Sequence, residues 1–214
     1  MGKDLIKNVG ESWQSGMAKS ITFIVTKDCQ LACKYCYLVG KNSKERMPWE
    51  VAKLAIDYIL DHENDMKEES VVWDFIGGEP FLEIDLIDKI CDYLKTEMFR
   101  RNHHWFNSYR FSFSTNGINY HTDKVQRFIE KNHNHLSIGI TIDGTERKHD
   151  LNRIYRRRTR FLCRRGAQHS AVAEAVSECR NKGYYKQCRH PLHQGERAAS
   201  LRTRHSRGEH QLRV

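Results

Sequence analysis

Three cysteines lie within eight residues of this chain, at Cys29, Cys33 and Cys36. They directly follow residues 20–26, a run of β-branched and aromatic side chains typical of a strand. A [4Fe-4S] cluster usually takes four thiolate ligands. Three closely spaced thiolates with no fourth nearby therefore predict a cluster in which one iron stays open, and an open iron can hold a substrate.

Zinc binding and structural packing are the alternative explanations for the cysteines. A zinc site needs a second pair of Cys or His residues at defined spacing, and residues 1–150 add only Cys91, on the face of a predicted helix. Packing does not explain three thiols in one short loop. The pairs His103-His104 and His133/His135 lie beside asparagines and are interpreted as polar loops rather than metal ligands.

Further motifs follow the cysteines in order. They are residues 77–80 (GGEP), residues 114–117 (STNG), and residues 142–144 (IDG) with His149, Asp150 and Arg153 after them. With the aromatic Tyr35 before the last cysteine, this series resembles the signature of the radical S-adenosylmethionine (SAM) enzymes. The last motif is similar to the branch that holds anaerobic sulfatase-maturating enzymes and peptide maturases. The resemblance covers residues 18–155.

The resemblance implies two cofactors, a [4Fe-4S] cluster and S-adenosyl-L-methionine. Cys29, Cys33 and Cys36 would bind three irons, and the fourth iron would bind the amino and carboxylate groups of SAM. Reductive cleavage of SAM then gives a 5′-deoxyadenosyl radical, which abstracts hydrogen from an unactivated C–H bond. The protein supplies orientation and excludes water.

The GGEP motif is predicted to bind the methionine part of SAM. Gly77 and Gly78 let the backbone come close to a ligand because glycine has no Cβ. Glu79 can accept charge-assisted hydrogen bonds from the amino group. An ordinary turn at the end of a strand is the alternative explanation of this motif.

The remaining motif residues are assigned to other parts of the cofactor site. Ser114 and Asn116 are predicted to contact the ribose, and Asp143 the ribose or the substrate. Arg153 matches the family position that binds the SAM carboxylate, a task suited to a planar guanidinium. Tyr35 is predicted to pack over the cluster or the adenine. Turn formation or surface pairing remains the alternative for all of these except Tyr35.

Strands and helices alternate between residues 20 and 144, which predicts a parallel sheet with crossover helices. Period-two alternation in the later strands places large apolar side chains on one face of the sheet and small or polar ones on the other. Three helices are predicted, each with one apolar stripe. The stripes are Val51, Leu54, Ala55, Tyr58 and Ile59 in the helix opened by Pro48, then Ile87, Ile90, Cys91 and Leu94, and then Val125, Phe128 and Ile129. The predicted fold is α/β, a partial (β/α)6 TIM-type barrel with about four β/α units, and each motif follows a strand, at the rim where such barrels place active sites.

The net charge of +9 belongs to residues 156–214, where arginine is frequent and acidic residues are rare. The predicted organisation is an N-terminal extension (1–19), a partial core (20–155) and this basic tail (156–214). The chain shows neither a signal peptide nor an apolar run long enough for a membrane span. The sequence thus favours a protein of the reducing cytoplasm, without a membrane partner, where clustered thiols bind metals rather than form disulfides.

The family resemblance ends near Arg156. Cys163, Cys179 and Cys188 lack the spacing of the auxiliary clusters found in the maturases. The neighbouring reading frame permits a strand-like segment at residues 182–188. The tail is therefore interpreted as disordered or as the product of a frameshift that truncates the barrel.

These observations predict a radical SAM enzyme, in truncated form, that modifies a side chain of a peptide or protein. Its electrons would come from a low-potential donor such as flavodoxin or ferredoxin. The alternatives are a radical SAM activase or small-molecule enzyme and, outside the family, a nucleic-acid-binding protein that uses the basic tail. Nucleic acid is disfavoured because the tail lacks interleaved aromatic residues.

Overall fold

The computed structural model describes residues 18–143 and 145–156, together with Ser177. The predictions for most of the N-terminal extension and for the basic tail, including its disorder, its frameshift origin and its nucleic-acid binding, lie outside the described residues. Within the described residues, no helix combines the length and the apolar character needed to cross a bilayer.

The described chain alternates strands with helices. The strands are β1 (Ala18–Thr26), β2 (Ser70–Gly77), β3 (Tyr109–Thr115) and β4 (Leu136–Ile140). The helices are α1 (Trp49–Asp61), α2 (Ile84–Arg100), α3 (Asp123–Asn132) and α4 (Glu146–Asn152). The order β-α-β-α-β-α-β-α gives the four predicted β/α units.

The strands form one sheet in the order β1-β2-β3-β4, and every neighbouring pair is parallel. Parallel neighbours require a crossover connection, which α1, α2 and α3 supply. The prediction of a partial α/β barrel is confirmed.

The two faces of the sheet differ as the alternation predicts. The apolar face buries a layer of aromatic rings against the helices, in which Phe75 stacks on Phe23 and Phe113 and the Phe113 ring contacts Phe81 and Phe128. On the opposite face the register aligns one row of side chains across all four strands: Thr22, Asp74, Ser112 and Ser137. One face is therefore core and the other is suited to lining a polar cavity.

The buried stripes of two helices were predicted correctly, and that of α1 only in part. Helix α2 buries Ile87, Ile90, Cys91 and Leu94, and α3 buries Val125, Phe128 and Ile129. In α1, Ala52, Ile56 and Leu60 are buried. Of the predicted face, Ala55 and Ile59 are half-buried against the core, whereas Val51, Leu54 and Tyr58 are exposed. The helix is apolar on two sides, and small Ala52 lets the other side lie closer to the sheet.

The fourth unit departs from its prediction in detail. The alternation predicts that Asp143 is the last residue of the fourth strand, but β4 ends at Ile140 and Asp143 lies in the loop beyond it. The short helix α4 carries His149 and leads directly to Arg153.

Candidate functional site

All four predicted motifs lie at the carboxyl edge of the sheet. The cysteine loop follows β1, Gly77 ends β2, Asn116 follows β3, and Asp143 follows β4. Because parallel strands share one direction, these loops open at the same edge. The fold thus brings the predicted site residues together.

Cys29 is the most enclosed thiol of the cysteine loop, at 5% exposure, while Cys33 and Cys36 are half-buried. All three are free thiols. The backbone N–H of Cys29 donates to Asp28 Oδ1 at 2.9 Å, and Leu31 N–H donates to Cys29 Sγ at 3.4 Å. Burial raises the pKa of the Cys29 and Cys33 thiols, so an iron that binds them must displace a proton.

The donor set fits a cluster better than a single ion. Zinc gathers its thiolates around one point, about 2.3 Å from each sulfur. Among residues 18–143 and 145–156, only one group of three potential ligand atoms lies within 4.8 Å of one another. The three cysteines are not part of that group. In an iron–sulfur cluster each thiolate binds a different iron, which allows the wider spacing of this loop.

A second segment closes over the cysteine loop. Residues 152–156, here called the closing segment, run antiparallel to residues 30–34. Ala32 N–H donates to the Ile154 carbonyl at 2.7 Å and Lys34 N–H to the Asn152 carbonyl at 3.0 Å. Arg156 N–H donates in turn to the Gln30 carbonyl at 2.8 Å. These bonds fix the backbone between Cys29 and Cys36 to the end of α4.

Tyr35, Asp143 and Arg153 form a partly buried polar cluster beside the cysteines. The Tyr35 hydroxyl lies 2.7 Å from both carboxylate oxygens of Asp143, and Arg153 Nε donates to Asp143 Oδ1 at 3.1 Å. The guanidinium carbon of Arg153 lies 5.6 Å from the centre of the Tyr35 ring. His149 supports this cluster, since its carbonyl accepts from Arg153 N–H at 2.8 Å.

Gly77 and Gly78 allow the end of β2 to lie against the start of the cysteine loop. A Cβ on Gly77, at φ +143°, would lie 2.2 Å from the Thr26 carbonyl oxygen, and one on Gly78 would lie 2.0 Å from that of Asp28. Gly78 N–H donates to Thr26 O and Glu79 N–H to Asp28 O, both at 2.8 Å. The close contact between the two loops therefore explains why both positions are occupied by glycine.

Glu79 is 1% exposed and lies at the centre of the site. Its carboxylate accepts from the Thr115 hydroxyl at 2.6 Å, from Asn116 N–H at 2.8 Å and from Phe81 N–H at 3.2 Å. Burial raises the pKa of Glu79, and these hydrogen bonds oppose that rise. Since Oε2 accepts only one of the three bonds, a lone pair on that oxygen remains for a further donor.

The two predicted ribose residues differ in their surroundings. Ser114 is exposed on the polar face of the sheet. Asn116 is buried, and its Nδ2 lies 3.8 Å from Cys29 Sγ and 3.2 Å from Gln30 Oε1. Its Oδ1 accepts from Ile118 N–H at 2.9 Å. The Asn116 side chain therefore contacts the cysteine loop, while Ser114 faces open space.

Comparison with known proteins identifies the family. The family model of the radical SAM superfamily matches residues 23–201, which is most of the chain. The chain belongs to the radical SAM superfamily. The predicted family is confirmed, and the superfamily consists of enzymes.

Similar proteins point to one branch of the radical SAM superfamily. The chain is 34% identical over 128 residues to an uncharacterised protein of Methanocaldococcus jannaschii, covering 60% of this chain and 40% of that protein. It is 29% identical over 142 residues to a cysteine-type anaerobic sulfatase-maturating enzyme of Clostridium novyi, covering 64% of this chain and 36% of that enzyme. The resemblance to the sulfatase-maturating branch is thus found by sequence.

Solved structures agree with this fold. Native anSMEcpe with bound AdoMet and the Cp18Cys peptide superposes with a TM-score of 0.58 at 22% identity, covering 79% of this chain and 42% of that chain. Native anSMEcpe with bound AdoMet alone gives a TM-score of 0.57 at 21% identity, covering 79% of this chain and 43% of that chain. The chain spans about two fifths of the length of these radical SAM relatives.

Residues that were not assigned a role from the sequence also shape the site. Thr115 holds Glu79 in place. Asp28 caps the Cys29 N–H and accepts from Arg156 Nη1 at 2.8 Å. Gln30 links Asn116 to Asn119 Oδ1. The position of Asp28 directly before the first cysteine was the only available signal, since Asp commonly caps neighbouring backbone N–H groups.

Proposed function

We propose that this radical SAM protein binds a [4Fe-4S] cluster and SAM at the carboxyl edge of its sheet and uses them to modify a side chain of a peptide or protein. The observation that carries the proposal is the convergence of three free thiols with Glu79 and Arg153 at that edge. When bound, the two cofactors together supply a 5′-deoxyadenosyl radical that takes hydrogen from the substrate.

Cys29, Cys33 and Cys36 are the proposed iron ligands. Asn116 Nδ2 and Leu31 N–H point at Cys29 Sγ and would donate weak hydrogen bonds to the bound thiolate. Such bonds are among the features that set the reduction potential of a cluster.

The SAM contacts are proposed for residues whose polar atoms remain available. Arg153 uses Nε for Asp143, which leaves its two terminal nitrogens for the SAM carboxylate. The remaining lone pair of Glu79 accepts from the amino group, and Ser114 contacts the ribose from the polar face of the sheet. Gly77 and Gly78 allow the end of β2 to lie against the cysteine loop, and this contact would place their backbone beside the methionine part of SAM.

A peptide or protein is the proposed substrate. The Clostridium novyi relative is named as a sulfatase-maturating enzyme, and a peptide is bound in a solved structure that shares this fold. Thr22 and Ser114, which are exposed on the polar side of the sheet, offer hydrogen-bonding groups to such a ligand. We also propose a low-potential flavodoxin or ferredoxin as donor, and exposed Lys34 in the cysteine loop would suit its acidic surface.

Anaerobic reconstitution with iron and sulfide tests the proposal. The full chain should take up about four irons per molecule, and dithionite should then produce 5′-deoxyadenosine from SAM. Replacing Cys29, Cys33 or Cys36 by Ala should abolish both results. Cys91→Ala is the matched control, because Cys91 is buried in the core and its loss should leave the iron content unchanged. Full iron uptake by the loop variants would disprove the cluster assignment.

A further inference from the structure

Two histidines and a glutamate meet at the edge of the sheet opposite the cysteines. Glu63 lies in the turn after α1, and His103 and His104 lie between α2 and β3. One ligand atom from each lies within 4.8 Å of the other two, the only such group among the residues that the structure describes. Two imidazoles and one carboxylate are a known ligand set for zinc.

His104 is oriented as a metal ligand would be. Its Nε2 lies 3.1 Å from the Glu68 carbonyl oxygen, so Nε2 carries a hydrogen and donates it. Its Nδ1 lies 2.6 Å from Glu63 Oε1. Histidines that bind metals usually donate their other ring N–H to a carbonyl or carboxylate. The Glu68 carbonyl thus orients Nδ1 towards Glu63.

His103 contributes a buried ring nitrogen, Nε2, that has no hydrogen-bond partner among the described residues. The residue is 3% exposed. Its Nδ1 accepts from Trp105 N–H at 3.2 Å. Leaving a buried polar atom without a partner is unfavourable. A cation on Nε2 would satisfy it, at the cost of moving the ring hydrogen to Nδ1 and losing the bond from Trp105.

We propose that Glu63, His103 and His104 bind a divalent transition-metal ion, of which zinc is the best match, with water as the fourth ligand. The ion takes the place of the direct contact between His104 Nδ1 and Glu63 Oε1. Because Glu63 follows α1 and the histidines follow α2, the ion fastens the ends of two helices together and acts as a structural site, remote from the cysteines.

Zinc uptake by the full chain tests this site. After incubation with zinc sulfate and desalting, elemental analysis of cluster-loaded protein should find about one zinc per chain. X-ray absorption at the zinc edge should show nitrogen and oxygen ligands at about 2.0–2.1 Å and no sulfur at about 2.3 Å. Zinc should also raise the thermal unfolding midpoint of the protein.

Matched variants decide where the zinc binds. His104→Ala and Glu63→Gln should each lose most of the zinc and its effect on the unfolding midpoint. Both residues are exposed, so both variants should fold, as their circular dichroism would show. His133→Ala removes another exposed histidine and should retain the zinc. Equal zinc in His104→Ala and the wild type, sulfur ligands at the zinc edge, or no retained zinc in the wild type would each overturn the proposal.

Discussion

Tyr35 lies between two proposed iron ligands, yet its hydroxyl bonds to Asp143 on another loop. Burial and the contact with the Asp143 carboxylate raise the pKa of Tyr35, so the phenol remains a donor at neutral pH. Asp143 is held from one side by Tyr35 and from the other by Arg153. The position of the arginine thus depends on a residue of the cysteine loop.

Replacing Tyr35 by Phe should weaken SAM binding while the iron content stays unchanged. The ring remains, but Asp143 loses its donor and Arg153 loses part of its restraint. Loss of one hydrogen bond of this kind is worth about 1 kcal/mol, or roughly fivefold in the dissociation constant of SAM. Titration of the cluster-loaded protein with SAM measures it.

Tyr37→Phe is the control for that substitution. Tyr37 is 74% exposed in the same loop, so the removal of its hydroxyl should change neither iron content nor SAM affinity. Equal SAM affinity in the Tyr35 and Tyr37 variants would show that the Tyr35 hydroxyl does not position the arginine.

The chemistry of individual residues determined which parts of the site were predictable. Three cysteines in one loop have few uses, so the cysteine loop was found from the sequence. Glu79 was predicted as a SAM ligand, but its bonds to Thr115 and Asn116 could not be predicted, because a threonine at the end of a strand is common. The closing segment was missed for a similar reason, since its contacts are made by backbone atoms that any sequence offers.

The contact between β2 and the cysteine loop should be sensitive to a single methyl group. Gly78→Ala places a Cβ where the Asp28 carbonyl oxygen lies 2.0 Å away, so the two loops must separate. We expect a loss of about 1–3 kcal/mol in the free energy of unfolding, measured with denaturant, together with a lower iron content after reconstitution.

Gly40→Ala is the control for Gly78→Ala, because it strains the backbone without creating a steric clash. Gly40 has a positive φ, +70°, and its added Cβ would meet only Lys27 Cδ at 4.0 Å. We expect a loss of about 1–2 kcal/mol from the left-handed backbone and no change in iron content. A Gly78 variant that retained full iron would contradict the role of close contact.

Helices α1 and α2 are joined at their C-terminal ends by a charged network. Glu97 accepts from Arg100 and Arg101, and Arg101 also contacts Asp57 and Asp61. The hydrogen bond from Arg100 is the first cause that holds the pKa of Glu97 below its ordinary value of 4.5, followed by that from Arg101. The ionised carboxylate is therefore favoured in the folded protein.

This network predicts a pH dependence of stability. Because the pKa of Glu97 is lower in the folded protein than its ordinary value of 4.5, the ionised carboxylate stabilises the fold above pH 4.5. This stabilisation is lost as the pH falls through the pKa of Glu97 in the folded protein. Unfolding midpoints measured between neutral and acid pH should show this loss in the wild type and a smaller one in Glu97→Gln. Glu69→Gln, at an exposed position, should behave like the wild type. An identical pH profile in Glu97→Gln would refute the contribution of this network.

The orientation of α1 shows the limit of periodicity. The helix offers two apolar stripes, and the sequence alone favoured the one with larger side chains. Close packing favours the stripe with Ala52, because a small residue shortens the distance between helix and sheet. In β3 the alternation was unambiguous, since Arg110, Ser112 and Ser114 separate three aromatic residues, and the predicted faces are correct.

The two-sided sheet predicts opposite results at adjacent positions. Phe113 is 1% exposed within the aromatic layer, and Phe113→Ala should lower the free energy of unfolding by about 3–5 kcal/mol. Ser112, its neighbour on the polar face, is half-buried. Ser112→Ala should change the free energy of unfolding by no more than about 0.5 kcal/mol. Denaturant unfolding of both variants checks the contrast, and similar losses would contradict the assigned faces.

The closing segment also determines when the cysteine loop can reach its final conformation during synthesis. Leu31 pairs with Tyr155, so the cysteine loop receives its final shape from residues that leave the ribosome long after it. At roughly 5–20 residues per second, synthesis of the intervening chain takes several seconds or more. During that interval the cysteines are already made but their backbone is not yet held. Iron delivered before Arg156 has emerged would meet an unfinished loop, and cluster insertion therefore belongs after synthesis of this region.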